Sequence, residues 1–128
     1  MRLDKFTTRF QESLASAEKL ASSNGNSNIE PEHLLYVLID SDERLIATIL
    51  TRSGVKIEGL KQALKSAIDE FPVVEKLQHL SISQSMNRLM SATEKLSQEL
   101  ADQYVSTELF LLVAIREKHG VGLMLREH

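Results

Sequence analysis

The first candidates for metal or acid–base chemistry in this chain are His33, His79, His119 and His128 and its 18 acidic side chains. Glu30 and His33 stand three apart and would share a helix face, yet two ligands fall short of the four a structural zinc ion takes. With no cysteine there is no thiolate ligand, disulfide or cysteine nucleophile, a composition that suits a reducing cytosol. Serines are abundant, but no nucleophile-elbow motif points one at a base. Gly25, Gly54, Gly59, Gly120 and Gly122 form neither G-x-x-x-x-G-K-[ST] nor G-x-G-x-x-G, so no phosphate cradle is written here. The acidic run Asp40 to Glu43 lacks the glycine and spacing of a calcium loop and reads as a solvated turn. No enzyme active site is legible, and function must be sought in surfaces.

The elements that would carry such surfaces are helices. Phe6, Phe10, Leu14, Ala17 and Ala21 recur in steps of three and four, the stripe of an amphipathic helix. Leu3-Asp4 reads as a staple and N-cap before it, and Gly25 offers a left-handed exit after it. Pro31 suits the first position of a short second helix through Ile39. Arg44 to Arg52, closed by Gly54, makes a third. Ile57, Leu60, Leu64, Ala67, Ile68 and Phe71 mark a fourth, stopped by Pro72. No useful length shows strand alternation, so the fold class expected is all-α.

Shifted by 76 places, the sequence falls back on itself. Glu18-Lys19-Leu20 lands on Glu94-Lys95-Leu96, Phe10 on Met86, Leu14 on Met90, Ile29 on Val105, Leu35 on Leu111 and Val37 on Val113. One deletion changes the register to 75 and sets Ile46 on Val121, Ile49 on Met124 and Leu50 on Leu125. This is an internal duplication. The single domain 1–128 divides into a first repeat over about 4–71, a linker 72–82 and a second repeat over about 83–128. Val73, Val74, Leu77 and Leu80 make the linker apolar enough to lie against the body. His128 aligns with Ser53, so the second repeat stops before a counterpart of the fourth helix, which suggests a piece of a longer protein.

Features shared by both repeats serve the fold, and unshared ones are candidates for function. Glu32 and Glu108 share a helix-start position where a carboxylate gains roughly 0.3–1 kcal/mol from the helix dipole. Thr7 and Ser83 share a capping position. Asp102 differs: it follows the fifth helix, the wrong end for an acid, and its counterpart is Asn26. Leu34 to Ile39 and Leu109 to Val113 are apolar around the whole helix circumference. Both helices read as central and buried, and the sharper reading, which composes with it, leaves one edge as an exposed groove for apolar ligands or unfolded chain. Leu109 faces His33 in the alignment, and a polar residue there places the position near the surface. Leu109 is therefore the expected exposed leucine.

Bulk composition narrows the partners. Hydrophobic residues are 42% and charged residues 26%, with 15 Lys+Arg against 18 Asp+Glu interspersed and a net charge of −3. That gives no basic surplus for nucleic acid. The run Leu109 to Ile115 is far below the roughly 20 residues of a membrane span, so neither nucleic acid nor membrane is expected.

RLDKFTTRFQ at Arg2 to Gln11, IEPEHLL at Ile29 to Leu35 and STELFLL at Ser106 to Leu112 resemble the paired-repeat N-terminal domain of the Clp chaperone ATPases. IEPEHLL after RLDKFT favours the ClpB disaggregases, whereas EHLL alone fits ClpA or ClpC equally. The resemblance implies two pseudo-symmetric four-helix repeats, the second truncated here, tethered to AAA+ rings outside this chain. It implies weak capture of unfolded or aggregated polypeptide for a cytoplasmic hexamer that works with the DnaK system, the isolated domain being monomeric. ATP and magnesium would belong to the rings, with no cofactor in this chain. By position, the implied substrate-binding residues are Thr7, Met90, Leu96, Asp102, Glu108 and Leu109. Ala92 departs from the pattern, standing where a relative carries a larger apolar residue. The alternative reading is an adaptor dock of the ClpA or ClpC kind.

Overall fold

Thr7 begins the first helix. Its hydroxyl accepts from the Phe10 amide at 3.1 Å, filling an otherwise orphaned donor of the first turn. Ser83 does the same for Met86 at 3.0 Å, so the capping expected of this pair holds in both repeats. The expected cap at Asp4 does not form: Leu3–Lys5 is a 3-10 turn, and Thr7 takes the cap three residues later.

The computed structural model describes residues 3–41, 44–75 and 79–128. Its helices are α1 (Thr8–Ser23), α2 (Pro31–Asp40), α3 (Arg44–Arg52), α4 (Ile57–Asp69), α5 (Gln84–Glu99), α6 (Thr107–Ile115) and α7 (Gly120–Glu127). The expected all-α class is observed, with one parallel pair of two-residue strands, β1 (Asn28–Ile29) and β2 (Ser81–Ile82). The turn expected over Asp40 to Glu43 includes Asp42 and Glu43, which lie outside the described residues, as does Leu77.

The duplication is visible in the packing. Phe10 and Met86, Leu35 and Leu111, Ile46 and Val121, and Leu50 and Leu125 are aligned pairs and all are buried. The repeats also exchange backbone. Thr7 N donates to Val105 O at 2.9 Å, and Ser83 N, its counterpart, donates to Ile29 O at 3.2 Å. Each repeat thus lends the segment before its first helix to the loop before the other's second helix. Side chains cross the same seam, Phe10 of α1 meeting Phe110 of α6 edge-on at 6.1 Å between ring centres. The α4 helix packs on α2, α3 and α7, and Lys56 N donates to His128 O at 2.7 Å.

The start of the linker, Pro72 to Val74, lies against the first repeat through polar contacts. Val74 N donates to Gly25 O at 2.8 Å and Asn26 Nδ2 to Pro72 O at 3.2 Å, while Val73 and Val74 remain exposed.

Candidate functional site

The six expected binding residues fall into three groups. Asp102 and Glu108 lie on the segment running from the end of α5 into α6, and Thr7, the N-cap of α1, meets that segment. Thr7 is bonded to Val105 at its centre, and Glu108 opens α6 with its carboxylate accepting from the Thr107 hydroxyl at 3.1 Å. Leu96 is half-buried on α5 and lines a depression. Met90 and Leu109 are core residues, 0% and 7% exposed.

The expectation of an exposed Leu109 is therefore corrected. It rested on His33, and His33 is itself fully buried. Its Nδ1 accepts from the Glu30 amide at 2.9 Å, the reach-back half of a capping box. That leaves Nε2 to carry the proton and donate to Asn26 Oδ1 at 3.0 Å. Burial pushes the imidazole pKa down to about 4, so the ring is neutral at physiological pH. A polar residue marked a satisfied interior site, not a surface. The two contrasts between the repeats, Asn26 against Asp102 and His33 against Leu109, are two ends of one hydrogen bond that the second repeat lacks.

On α6 the residue that faces out is Leu112, 42% exposed and aligned with half-buried Tyr36. Leu100 and Tyr104, at the end of α5 and in the following loop, are also exposed. Sequence reasoning missed all three. Because α6 is apolar all round, periodicity could not pick its outward side; the Leu112–Tyr36 alignment was the available signal. Leu96 on α5 and Leu100, its C-cap, stand one turn apart, as do Leu112 on α6 and its C-cap Arg116.

Between α5 and α6 lies a depression of about 360 Å³, its floor made by Leu89, Ala92, Leu96 and Val113. Arg88, Lys95 and Arg116 rim it with positive charge, Glu99 and Glu117 with negative. The small side chain of Ala92 stands in its floor. Arg88 donates to Glu117 at 2.9 Å, and both residues also line a neighbouring hollow of about 490 Å³ reaching Pro31, Glu32 and Phe71. Burial raises the Glu32 carboxyl above the ordinary carboxylate range, with Glu30 adding to the effect against the opposing pull of a backbone hydrogen bond. Among the described residues no group of three or more histidines and acids is placed to hold a metal ion. No helix among them is long and apolar enough to cross a membrane. What the surface offers is apolar contact with a rim of both charges.

The chain matches the Clp repeat (R) N-terminal domain family over residues 5–128. It is 34% identical over 128 residues to the chaperone protein ClpB of Vibrio cholerae, covering 99% of this chain and 15% of that protein. The chain thus spans about one seventh of the length of the curated relatives it matches. Among solved structures it is similar to the Hsp104 N-terminal domain from Candida albicans, with a TM-score of 0.86 at 18% identity, covering 96% of this chain and 81% of that one. It is also similar to the ClpV N-domain solved in complex with a VipB peptide, with a TM-score of 0.78 at 24% identity, covering 98% and 79%. At those identities the likeness is one of fold.

Proposed function

The chain belongs to the Clp repeat N-terminal domain family, and on that premise we propose that it captures unfolded or aggregated polypeptide for an ATP-driven ClpB-like disaggregase. The observation that carries the proposal is the outward-facing Leu112 on a largely buried helix, whose next residue Val113 lines the apolar-floored depression with Leu96. Such a surface suits side chains that a folded protein would hide, and the mixed rim tolerates either charge in the flanking sequence. A feeder must release what it holds, so affinity in the micromolar range or weaker, about −8 kcal/mol at most, is what the role requires. In this reading Asp102 and Glu108 on the α5–α6 segment, with Thr7 bonded to it at Val105, form its polar border. Met90, and Leu109 beneath the segment, act by supporting it from the core.

In this reading the AAA+ rings, the hexamer, ATP with magnesium, the DnaK system and a cytoplasmic setting belong to the parent protein, the domain itself being monomeric. The ClpV–VipB peptide complex shows a similarly folded domain holding a peptide, which supports polypeptide as the ligand class. An NMR titration with a permanently unfolded model protein tests the proposal. Amide shifts on Leu96, Leu100 and Leu112, weakened at least fivefold by Leu112→Ser, are expected. Capture of a single stoichiometric folded partner, with no response to unfolded chain, would instead establish the adaptor dock.

A further inference from the structure

Asn24-Gly25 closes α1, and its counterpart in the second repeat is Leu100-Ala101, so the pair is present in one repeat only. Asparagine before glycine is chemically labile. Its side-chain amide is an electrophile, and glycine has no Cβ to shield the backbone nitrogen that follows. Asn24 is exposed, whereas Asn26 is buried and Asn28, also exposed, precedes the branched Ile29.

The fold holds this pair back. Asn24 sits at φ −88° and ψ 1°, which turns the Gly25 nitrogen away from the Asn24 side chain. That nitrogen also keeps its proton on Ser22 O at 3.0 Å, and Gly25 holds φ +70°. The linker then straps the turn from outside. Val74 N donates to Gly25 O at 2.8 Å and Asn26 Nδ2 to Pro72 O at 3.2 Å. Val73 lies so close that a Cβ on Gly25 would stand 2.9 Å from its Cγ1.

We propose that Asn24 is a deamidation site whose rate the linker strap governs. When the strap lifts, ψ of Asn24 rotates and the Gly25 nitrogen attacks Asn24 Cγ. The N–Cγ bond forms, the Cγ–Nδ2 bond breaks, and the Gly25 amide proton leaves with Nδ2 as ammonia. Water then opens the succinimide at either carbonyl, giving aspartate or isoaspartate, and nothing is oxidised or reduced. Isoaspartate adds a carbon to the main chain before Gly25, so Gly25 O no longer meets Val74 N in the same register. Either product puts a carboxylate at the carbonyl end of α1, where the helix dipole disfavours it. The strap therefore protects the site, and the modified site weakens the strap. None of this depends on polypeptide capture at the α5–α6 surface.

The test incubates the domain and the free peptide SSNGNSN side by side in neutral buffer and follows conversion at Asn24 by tandem mass spectrometry. Trypsin releases residues 20–44 as one fragment, so Asn26 and Asn28 serve as internal controls. In the wild type Asn24 alone should convert, at least about tenfold more slowly than in the peptide, because attack requires local opening of the turn. Two variants lift the strap at different bonds. Val74→Pro removes the donor to Gly25 O, and Asn26→Asp removes the donor to Pro72 O while keeping an acceptor for His33. Each, with its fold verified by circular dichroism, should speed conversion at least about fivefold. Wild-type conversion as fast as the peptide's overturns the proposal, as do variants that convert no faster than wild type. Should one variant fail to fold, the other decides.

Discussion

At the scale of single residues, the duplication supplies its own controls. Ala101 is the one non-glycine residue at positive φ among those described, and its counterpart is Gly25. An alanine held there is strained by roughly 1–2 kcal/mol. Ala101→Gly should therefore stabilise the domain by about 0.5–1 kcal/mol in urea unfolding, part of the relief being lost to the greater freedom of glycine in the unfolded chain. His33 sets a pH dependence. Its folded pKa, about 4, lies below the ordinary 6.5, so the unfolded chain binds the extra proton between those values. Stability is complete above about pH 6.5 and falls as pH drops toward 4, by on the order of 1–3 kcal/mol. His33→Leu, which restores the second repeat's residue, should flatten that slope when unfolding midpoints are compared at pH 7 and pH 5. His33 is legible as polar from sequence and Glu30 as its neighbour on the helix, but the Asn26 bond that satisfies its buried ring comes from outside the helix and carries no local signal.

At the scale of elements, the exposure of α6 separates binding from folding. Leu109→Ser removes a buried side chain and buries a hydroxyl, a loss of about 3–5 kcal/mol that would abolish binding for structural reasons. Leu112→Ser touches an exposed edge and should change stability by no more than about 0.5 kcal/mol while weakening polypeptide binding. Circular dichroism melts of the two variants check this contrast. Thr7 also has two possible roles. Thr7→Ala should lose about 1 kcal/mol through its helix cap, and Thr7→Ser should restore it; a binding loss that Thr7→Ser does not rescue would show a role for the methyl group in contact. Helix positions were legible because glycine, proline and the apolar stripe mark them: α3 was expected over the same residues the structure shows. The direction of α6 was not legible, since a helix apolar on all sides carries no angular signal.

At the scale of the molecule, the two repeats fold as one body because each lends backbone to the other and Phe10 and Phe110 bridge the seam. Each repeat carries one tyrosine, Tyr36 and Tyr104. Fluorescence of the Tyr104→Phe and Tyr36→Phe variants should therefore report the same urea midpoint, as two-state unfolding requires. Separate midpoints would mean that the exchange at Thr7–Val105 and Ser83–Ile29 is incidental. The duplication points to two similar halves, but no local pattern announces the exchange, which depends on contacts far apart in the chain, Thr7 with Val105 and Ser83 with Ile29. The candidate site divides the same way: resemblance and alignment point to the segment holding Asp102 and Glu108, while the outward leucines emerge only from packing. The most direct test of polypeptide capture is the affinity of Leu112→Ser for a permanently unfolded protein, measured beside wild type with folding verified. The surface described here predicts at least a fivefold loss at unchanged stability, and undiminished binding by the variant would contradict it.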